Sequence, residues 1–455
     1  MRNIIFSFLF LTLVTASASA QPNIIKYPIP TETQLNWQAQ PYYWFMHFGP
    51  NTFSGAEWGT GKEASTVFNP SSFDARQWCR LAKKAGAAGI IITAKHHDGF
   101  CLWPSRYSEH TVKQSAWKNG KGDVLKELST ACKEYGLKFG VYLSPWDRNH
   151  PDYGTKDYNL VFAAMLKEIL TSYGPVWELW WDGANGEGPN GKKQVYDWEL
   201  FKKTVRDNSP STLVFSDVGP DIRWVGNENG IAGTTNWNRL NIDGFTAGAG
   251  APPSDTLTSG NKFGDYWIPA ECDVSIRPGW FYHKSEDAKV KTAAQLFQLY
   301  LKSVGRGANL LLNVPPNEKG LISDADSVSV INFAKLREES FKTDLLPAAI
   351  SSMNVIKEKP SIEFAFKKPL QLNTILLKEN LAEGQHCSMF HVSFYSENGE
   401  LIKTIKGTTI GAQRILTFPT IACKKMEFSV DESNGKFEFK GIEAYLIAEN
   451  LIEKN

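Results

Sequence analysis

A unit of amphipathic helix, glycine stop and continuous apolar run recurs along this chain, and few folds can accommodate it. Between Asp74 and Ala85, Trp78, Leu81, Ala82 and Ala85 fall at helical spacing and Gly86 closes the segment. The apolar run from Gly89 to His96 follows. Leu125, Leu128, Cys132 and Tyr135, stopped by Gly136, precede the run Phe139 to Ser144. Phe162, Met165, Leu166, Ile169 and Tyr173, stopped by Gly174, precede Glu178 to Asp182. A helix around Trp198 to Arg206 leads to Leu213–Asp217, and one over Ala293 to Val304 leads to Asn309–Asn313. Trp44 to His47 supplies a first strand.

Continuous rather than alternating apolar runs describe strands buried on both faces, as in a parallel sheet. Strands separated by helices then predict an α/β fold, a (β/α)8-type barrel. The stretch 230–269 is rich in Gly, Pro, Asn, Ser and Thr and shows no long helix, so the barrel is expected to be irregular there.

Past residue 345 the texture changes to short strand-like runs: Ser361 to Phe366, Thr374 to Lys378, Phe390 to Tyr395, Arg414 to Phe418, Met426 to Val430 and Ile442 to Ile447. Turns such as Glu397-Asn398-Gly399 separate them. The expectation is a C-terminal β-sandwich at 345–455, with Leu345 to Met353 as the connection, a barrel at 21–344, and packing against the barrel as the sandwich's role. Residues 1–20 read as a secretory leader: Arg2, the apolar run Ile4 to Val14, then Ala18-Ser19-Ala20. The leader predicts export, to a periplasm or beyond, and the run is too short for a retained membrane anchor.

Lys and Arg total 49 against 48 Asp and Glu, a net charge of +1. That balance gives no electrostatic footprint for nucleic acid or an anionic membrane, and favours a neutral partner. The six cysteines show no zinc spacing. Cys387 and Cys423 share the C-terminal region and are the pair an oxidising compartment could join.

Chemistry in parallel barrels collects at the C-terminal strand ends. The predicted ends here hold His47, His96, His97, Asp98, Trp146, Asp182, Asp217 and Asn313. Asp182, delivered by Glu-Leu-Trp-Trp-Asp-Gly, is the candidate nucleophile. A retaining glycosidase pairs such a carboxylate with a protonated acid near the leaving oxygen. Glu57, Glu187, Glu228 and Glu271 compete for that role, and spacing alone does not separate Glu228 from Glu271. The three clustered histidines suit sugar hydroxyls as donors or acceptors. A metal centre is the rival reading, but the later candidates His150 and His283 do not fall at strand ends, so no metal or cofactor is expected.

Together, Trp44-Phe-Met-His47-Phe-Gly49, Glu57-Trp58-Gly59, Ala94-Lys-His96-His97-Asp98-Gly99-Phe100, Trp180-Trp-Asp182-Gly183 and Gly279-Trp280-Phe281 resemble the α-L-fucosidases of glycoside hydrolase family 29. The match spans about 30 to 340. The resemblance implies a retaining double displacement on fucosylated oligosaccharides or glycoconjugates, without a metal. It implies Asp182 as nucleophile and His47, Glu57, Trp58, His96, His97 and Tyr142 as fucose-binding residues, with Trp280 facing the sugar's methyl group. The Trp-Asp-Gly-Ala form around Asp182 and the stretch Arg223 to Glu228 resemble the branch selective for α-1,3/4-linked fucose in Lewis-type glycans. By that analogy Glu228 is the general acid/base and Glu271 the alternative. A retaining hydrolase for another sugar, or an inactive glycan-binding protein, are the competing functions.

Overall fold

The computed structural model describes residues 27–348, 350–356 and 359–452, so the leader lies outside the described residues. Eight parallel strands close into a barrel. They are β1 (Tyr42–Met46), β2 (Gly89–Lys95), β3 (Lys138–Leu143), β4 (Glu178–Trp180), β5 (Leu213–Ser216), β6 (Ile222–Trp224), β7 (Ala270–Ser275) and β8 (Asn309–Asn313). Pairing runs in chain order from β1 to β8, and β1 pairs with β8 to complete the ring. Nearly every strand residue is buried, as strands covered on both faces require.

The helices between them are α1 (Ala75–Lys84), α2 (Val124–Tyr135), α3 (Lys156–Ser172), α4 (Trp198–Asn208), α5 (Ala293–Lys302) and α6 (Asp324–Ser340). Their starts are set by capping side chains: Asp74, Asp123 and Asp197 accept from first-turn amides, and Thr292 forms a capping box with Gln295. Gly136 ends α2 in the left-handed region at φ 66°, where a side chain is disfavoured.

The regular alternation fails between β5 and β7, as the composition of 230–269 predicts. Residues 217–221 alone join β5 to β6. The link from β6 to β7 holds only a short helix, Ser254–Ser259, and a two-stranded ribbon, Arg239–Leu240 with Tyr266–Trp267. Several strands also end earlier than the apolar runs suggest, β4 at Trp180 and β5 at Ser216. Asp182 and Asp217 therefore stand just beyond the sheet, on the rim.

Glu271 corrects an expectation. It lies at the beginning of the barrel strand β7, paired with Asn309 at the start of β8, and so faces the lower barrel interior. There its Oε1 accepts from the Trp180 indole at 2.8 Å and its Oε2 from the Tyr43 hydroxyl. Glu178 Oε2 accepts from the Trp37 indole at 2.8 Å. Both carboxyls are fully buried, and burial raises the proton affinity of each; Glu271 raises Glu178 further, whereas hydrogen bonds with Glu178, Tyr43 and Trp180 oppose the rise at Glu271. Protonation of either carboxyl keeps two buried negative charges from facing one another.

The C-terminal region is a six-stranded antiparallel sheet enclosing its own apolar core. Its strands are β9 (Ile350–Ile356), β10 (Lys359–Glu379), β11 (Cys387–Tyr395), β12 (Leu401–Gly407), β13 (Arg414–Ser433) and β14 (Phe439–Tyr445). Two pairs of short runs in the sequence are thus single long strands. β10 and β13 run through both layers of the sandwich, with register shifts at Ala365/Leu370 and Leu372/Thr374 absorbing the bend. The expected connection at 345–353 is shorter than predicted, because β9 begins at Ile350. β12 escaped the sequence reading since its side chains are mostly solvated. Cys387 and Cys423 are buried and free.

The sandwich packs on the barrel flank. Leu376, Ile415, Tyr445, Ile447 and Leu451 join the barrel's apolar core. Gln385 grips the β6–β7 link, donating to the Asn236 carbonyl at 3.0 Å and accepting from the Asn238 amide at 2.8 Å. Among the described residues no helix is long and apolar enough to cross a membrane.

A buried clamp fixes the loop after β7. Arg277 Nε and Nη2 donate to Asp326 at 2.9–3.0 Å, tying the loop to the first turn of α6, with both side chains at 0% exposure. Removing Asp326 leaves Arg277 only the part-exposed Asp287 as an ion-pair partner, at 2.9 Å, and breaking a buried pair costs about 3–5 kcal/mol. Asp326→Ala should lower the unfolding free energy by that amount in a denaturant titration; a loss under about 1 kcal/mol would show the clamp to be unimportant.

Candidate active site

At the C-terminal mouth of the barrel, Phe45, His47, Trp58, His96, His97, Tyr142, Trp180, Asp182, Ala184, Glu228, Asp273 and Trp280 line one cavity of ≈ 540 Å³ open to solvent. The first four strands contribute at or near their ends: His47 follows β1, His96 and His97 follow β2, Tyr142 is on β3 and Asp182 follows β4.

Asp182 is partly exposed and held from both sides. Its Oδ2 accepts from the Tyr142 hydroxyl at 3.0 Å, and its Oδ1 from the Ala184 amide at 2.7 Å. Burial and the Asp182 charge push the Tyr142 hydroxyl well above its ordinary value, so it remains a donor. Gly183 is required by close approach: a Cβ there would collide with the Asp217 carboxylate. Asp217, at the rim but outside the cavity wall, is pushed up to about 6 by burial and by Asp182.

The histidine tautomers follow from their partners. Asn313 Nδ2 donates to the Trp280 carbonyl at 2.8 Å and to Ser275 Oγ at 2.9 Å, leaving Oδ1 to accept from His47 Nδ1 at 2.9 Å. Ser144 Oγ donates to the Trp146 carbonyl at 2.8 Å and so accepts from His97 Nδ1 at 2.8 Å. In each neutral ring the proton sits on Nδ1 and Nε2 is a lone-pair acceptor. His97 Nε2 stands 3.7 Å from Asp182 Oδ2, two acceptors that a ligand hydroxyl could bridge. Burial lowers all three histidines, His47 to about 4, and the neighbouring rings lower His96 further. His96 Nδ1 is buried without a hydrogen-bond partner among the described residues. Those residues also contain no group of three or more His, Cys, Asp or Glu side chains placed to hold a metal ion.

Of the four glutamates weighed from the sequence, Glu228 alone lines the cavity. It sits half-exposed on the loop after β6. Burial raises its carboxyl, the hydrogen bond from the Trp280 side chain opposes, and the Asp182 charge raises it again. Glu271, on the barrel floor, is removed from the candidates. Glu187 contributes a backbone carbonyl, accepting from the Trp146 indole at 3.0 Å. Glu57 stands behind the wall: its Oε2 accepts from the Trp280 amide at 2.7 Å and its Oε1 meets His283 Nε2 at 2.6 Å. Gly279 makes room for it, since a Cβ there would strike the Glu57 carboxylate. Trp58 is exposed, edge-on to His97 and Trp146 at 5.5 and 5.6 Å.

The sequence reading missed Asp273. Had β7 been drawn through Ser275, two-residue alternation would have put 271, 273 and 275 on the inward row. It likewise missed Phe45 and Trp180 as walls, since their pattern is indistinguishable from core.

A barrel whose rim brings two carboxyls, neutral imidazoles and an exposed indole to one cavity has the make-up of a carbohydrate-processing enzyme of the glycoside hydrolase kind. A sequence profile of the family Alpha-L-fucosidase matches residues 31–333. Alpha-L-fucosidase 1 of Arabidopsis thaliana is 38% identical over 465 residues, covering 94% of this chain and 91% of the plant protein. The crystal structure of a glycoside hydrolase 29 family member from an unknown rumen bacterium is 42% identical, with a TM-score of 0.87 over 93% of this chain and 78% of that one. A Ruminococcus gnavus GH29 fucosidase in complex with fucose is 30% identical, with a TM-score of 0.85 over 94% and 96% of the two chains. The chain belongs to the alpha-L-fucosidases of glycoside hydrolase family 29.

The His47 ring carries a pH signature. Its folded value near 4 lies below the ordinary 6.5, so the unfolded chain binds more protons between them and stability falls as pH drops through that window. Native protein should lose on the order of 3 kcal/mol more than His47→Gln between pH 6.5 and 4 in urea titrations. Parallel losses would show the ring to be solvated. Asn313→Leu should raise KM for a fucoside roughly 5- to 150-fold, by leaving buried donors unpaired; an unchanged KM would deny the tether a role.

Proposed function

We propose that the protein hydrolyses α-L-fucosidic bonds with retention, through a fucosyl ester on Asp182. The observation that carries this reading is that one cavity is lined both by Asp182, oriented by Tyr142 and the Ala184 amide, and by Glu228, hydrogen-bonded by the Trp280 side chain. In the first step Asp182 attacks the anomeric carbon as the glycosidic bond breaks, and Glu228 gives its proton to the departing oxygen. In the second, the Glu228 carboxylate takes a proton from water, which attacks the same carbon and frees Asp182. The raised proton affinity of Glu228 serves the first step, and loss of the Asp182 charge on esterification favours the carboxylate needed in the second.

His47 and His97 present Nε2 acceptors to sugar hydroxyls, His96 adds a third imidazole, and Trp280 with Phe45 forms an apolar wall for the fucose methyl group. Glu57 acts through the Trp280 loop, and Trp58 at the mouth is placed to meet the aglycone. The stretch from Arg223 to Glu228 and the Trp-Asp-Gly-Ala sequence support the α-1,3/4-selective branch, and so Lewis-type glycans as substrates. The leader at 1–20 supports export.

Fucose release from a Lewis-type trisaccharide and from an α-1,2-fucosylated one tests the proposal. Release from the Lewis glycan alone, abolished in Asp182→Ala, is the expected result. Release from both would remove the linkage selectivity, and release from neither would favour another sugar or a binding protein. Glu228→Ala should lower kcat by about 10²–10⁴-fold and regain turnover with azide or a good leaving group; absence of rescue would remove the acid/base assignment.

A further inference from the structure

The mechanism above leaves one cavity carboxyl unused. Asp273 lies on the inward row of β7, one layer above Glu271 and one below Ser275, paired across to Leu311. It is only 3% exposed, yet it lines the cavity beside Trp180, Asp182 and Glu228. Its Oδ1 accepts from the Trp224 indole at 2.9 Å, which leaves the second oxygen for an occupant.

Among the polar groups already described, His96 and the Trp58 indole are the donors left for a ligand, and the deep side of the cavity has none besides. His47 Nε2, His97 Nε2 and Asp182 are acceptors, whereas the Tyr142 hydroxyl is committed to Asp182 and the Trp280 side chain to Glu228. A sugar brings lone pairs as well as hydroxyl protons, and a cavity so rich in acceptors must also donate. We propose that Asp273 is a sugar-binding residue of the fucoside pocket, a neutral carboxyl whose free oxygen donates a hydrogen bond to an oxygen of the bound sugar. The assignment rests on the fucosidase reading of the pocket.

The surroundings keep the proton in place. Burial raises Asp273 well above the ordinary carboxylate range, and the neighbouring Glu228 and Glu271 carboxyls raise it further. Acids held neutral by an apolar site to serve as donors are an established catalytic device.

Two full-length variants test the role, assayed with 4-nitrophenyl α-L-fucoside and with free fucose as inhibitor. Asp273→Asn keeps an acceptor for Trp224 and replaces the hydroxyl donor by an amide N–H. Its KM and fucose inhibition constant should stay within about twofold of native, with an unmoved pH–rate profile. Asp273→Leu fills similar space without a donor, and both constants should rise about tenfold or more. If Asp273→Leu fails to fold, the Asn variant decides alone. Weakened binding or a shifted pH profile in Asp273→Asn would show that an anion is needed and overturn the proposal. So would native-like constants in a folded Leu variant. Native protein that neither cleaves the fucoside nor binds fucose would instead refute the fucosidase reading, and this assignment with it.

Discussion

The pairing of the first barrel strand with the last is the contact on which the site depends. Tyr42 to Phe45 lie in register with Leu310 to Asn313, and that closure puts Asn313 beside His47. One carboxamide then reaches β1, β7 and the loop after β7, holding His47, Ser275 and the Trp280 carbonyl at once. An open sheet would leave those segments at opposite edges. The Arg277–Asp326 clamp and Glu57 stabilise the same loop from outside, so Trp280 is positioned by three independent polar contacts.

The barrel interior is polar at graded depths, and each depth is satisfied differently. On the floor, Glu178 and Glu271 receive the indoles of Trp37 and Trp180 and the Tyr43 hydroxyl. Trp180 is also stacked on Phe215 with ring centroids 4.0 Å apart, so it closes the floor while donating into it. Above them Asp273 takes the Trp224 indole, and at the rim Asp182 takes a hydroxyl and an amide. Only the uppermost carboxyls reach solvent. Burial is the largest cause holding Glu178, Glu271 and Asp273 above the ordinary carboxylate range, and neighbouring carboxyls and hydrogen bonds adjust each from there.

Much of this was legible in the residues. Continuous apolar runs gave β1 to β5 and β8 because strands buried on both faces leave no other pattern. β6 and β7 were harder, since β6 is short and β7, Ala-Glu-Cys-Asp-Val-Ser, alternates polar and apolar. That alternation left Glu271 standing as the alternative acid, and the depth of β7, which sets Glu271 on the floor and Asp273 above it, was not visible in the residues. Glu57 was recognised, but its place behind Trp280 depends on a contact across 223 residues that no local pattern encodes. In the sandwich, Lys367-Lys368-Pro369 reads as a break, yet β10 passes through it at a register shift. The free cysteines show that sharing a domain does not bring two thiols into bonding position.

The central claim is that Asp182 becomes covalently bound to the sugar. Incubation with a 2-deoxy-2-fluoro-fucosyl fluoride, which slows hydrolysis of the ester more than its formation, followed by peptide mass mapping, tests it directly. One fluorofucosyl unit on the peptide carrying Asp182, with activity lost in proportion to labelling, is the predicted result. A label on another carboxylate, or steady turnover with release of an inverted sugar and no adduct, would contradict the account.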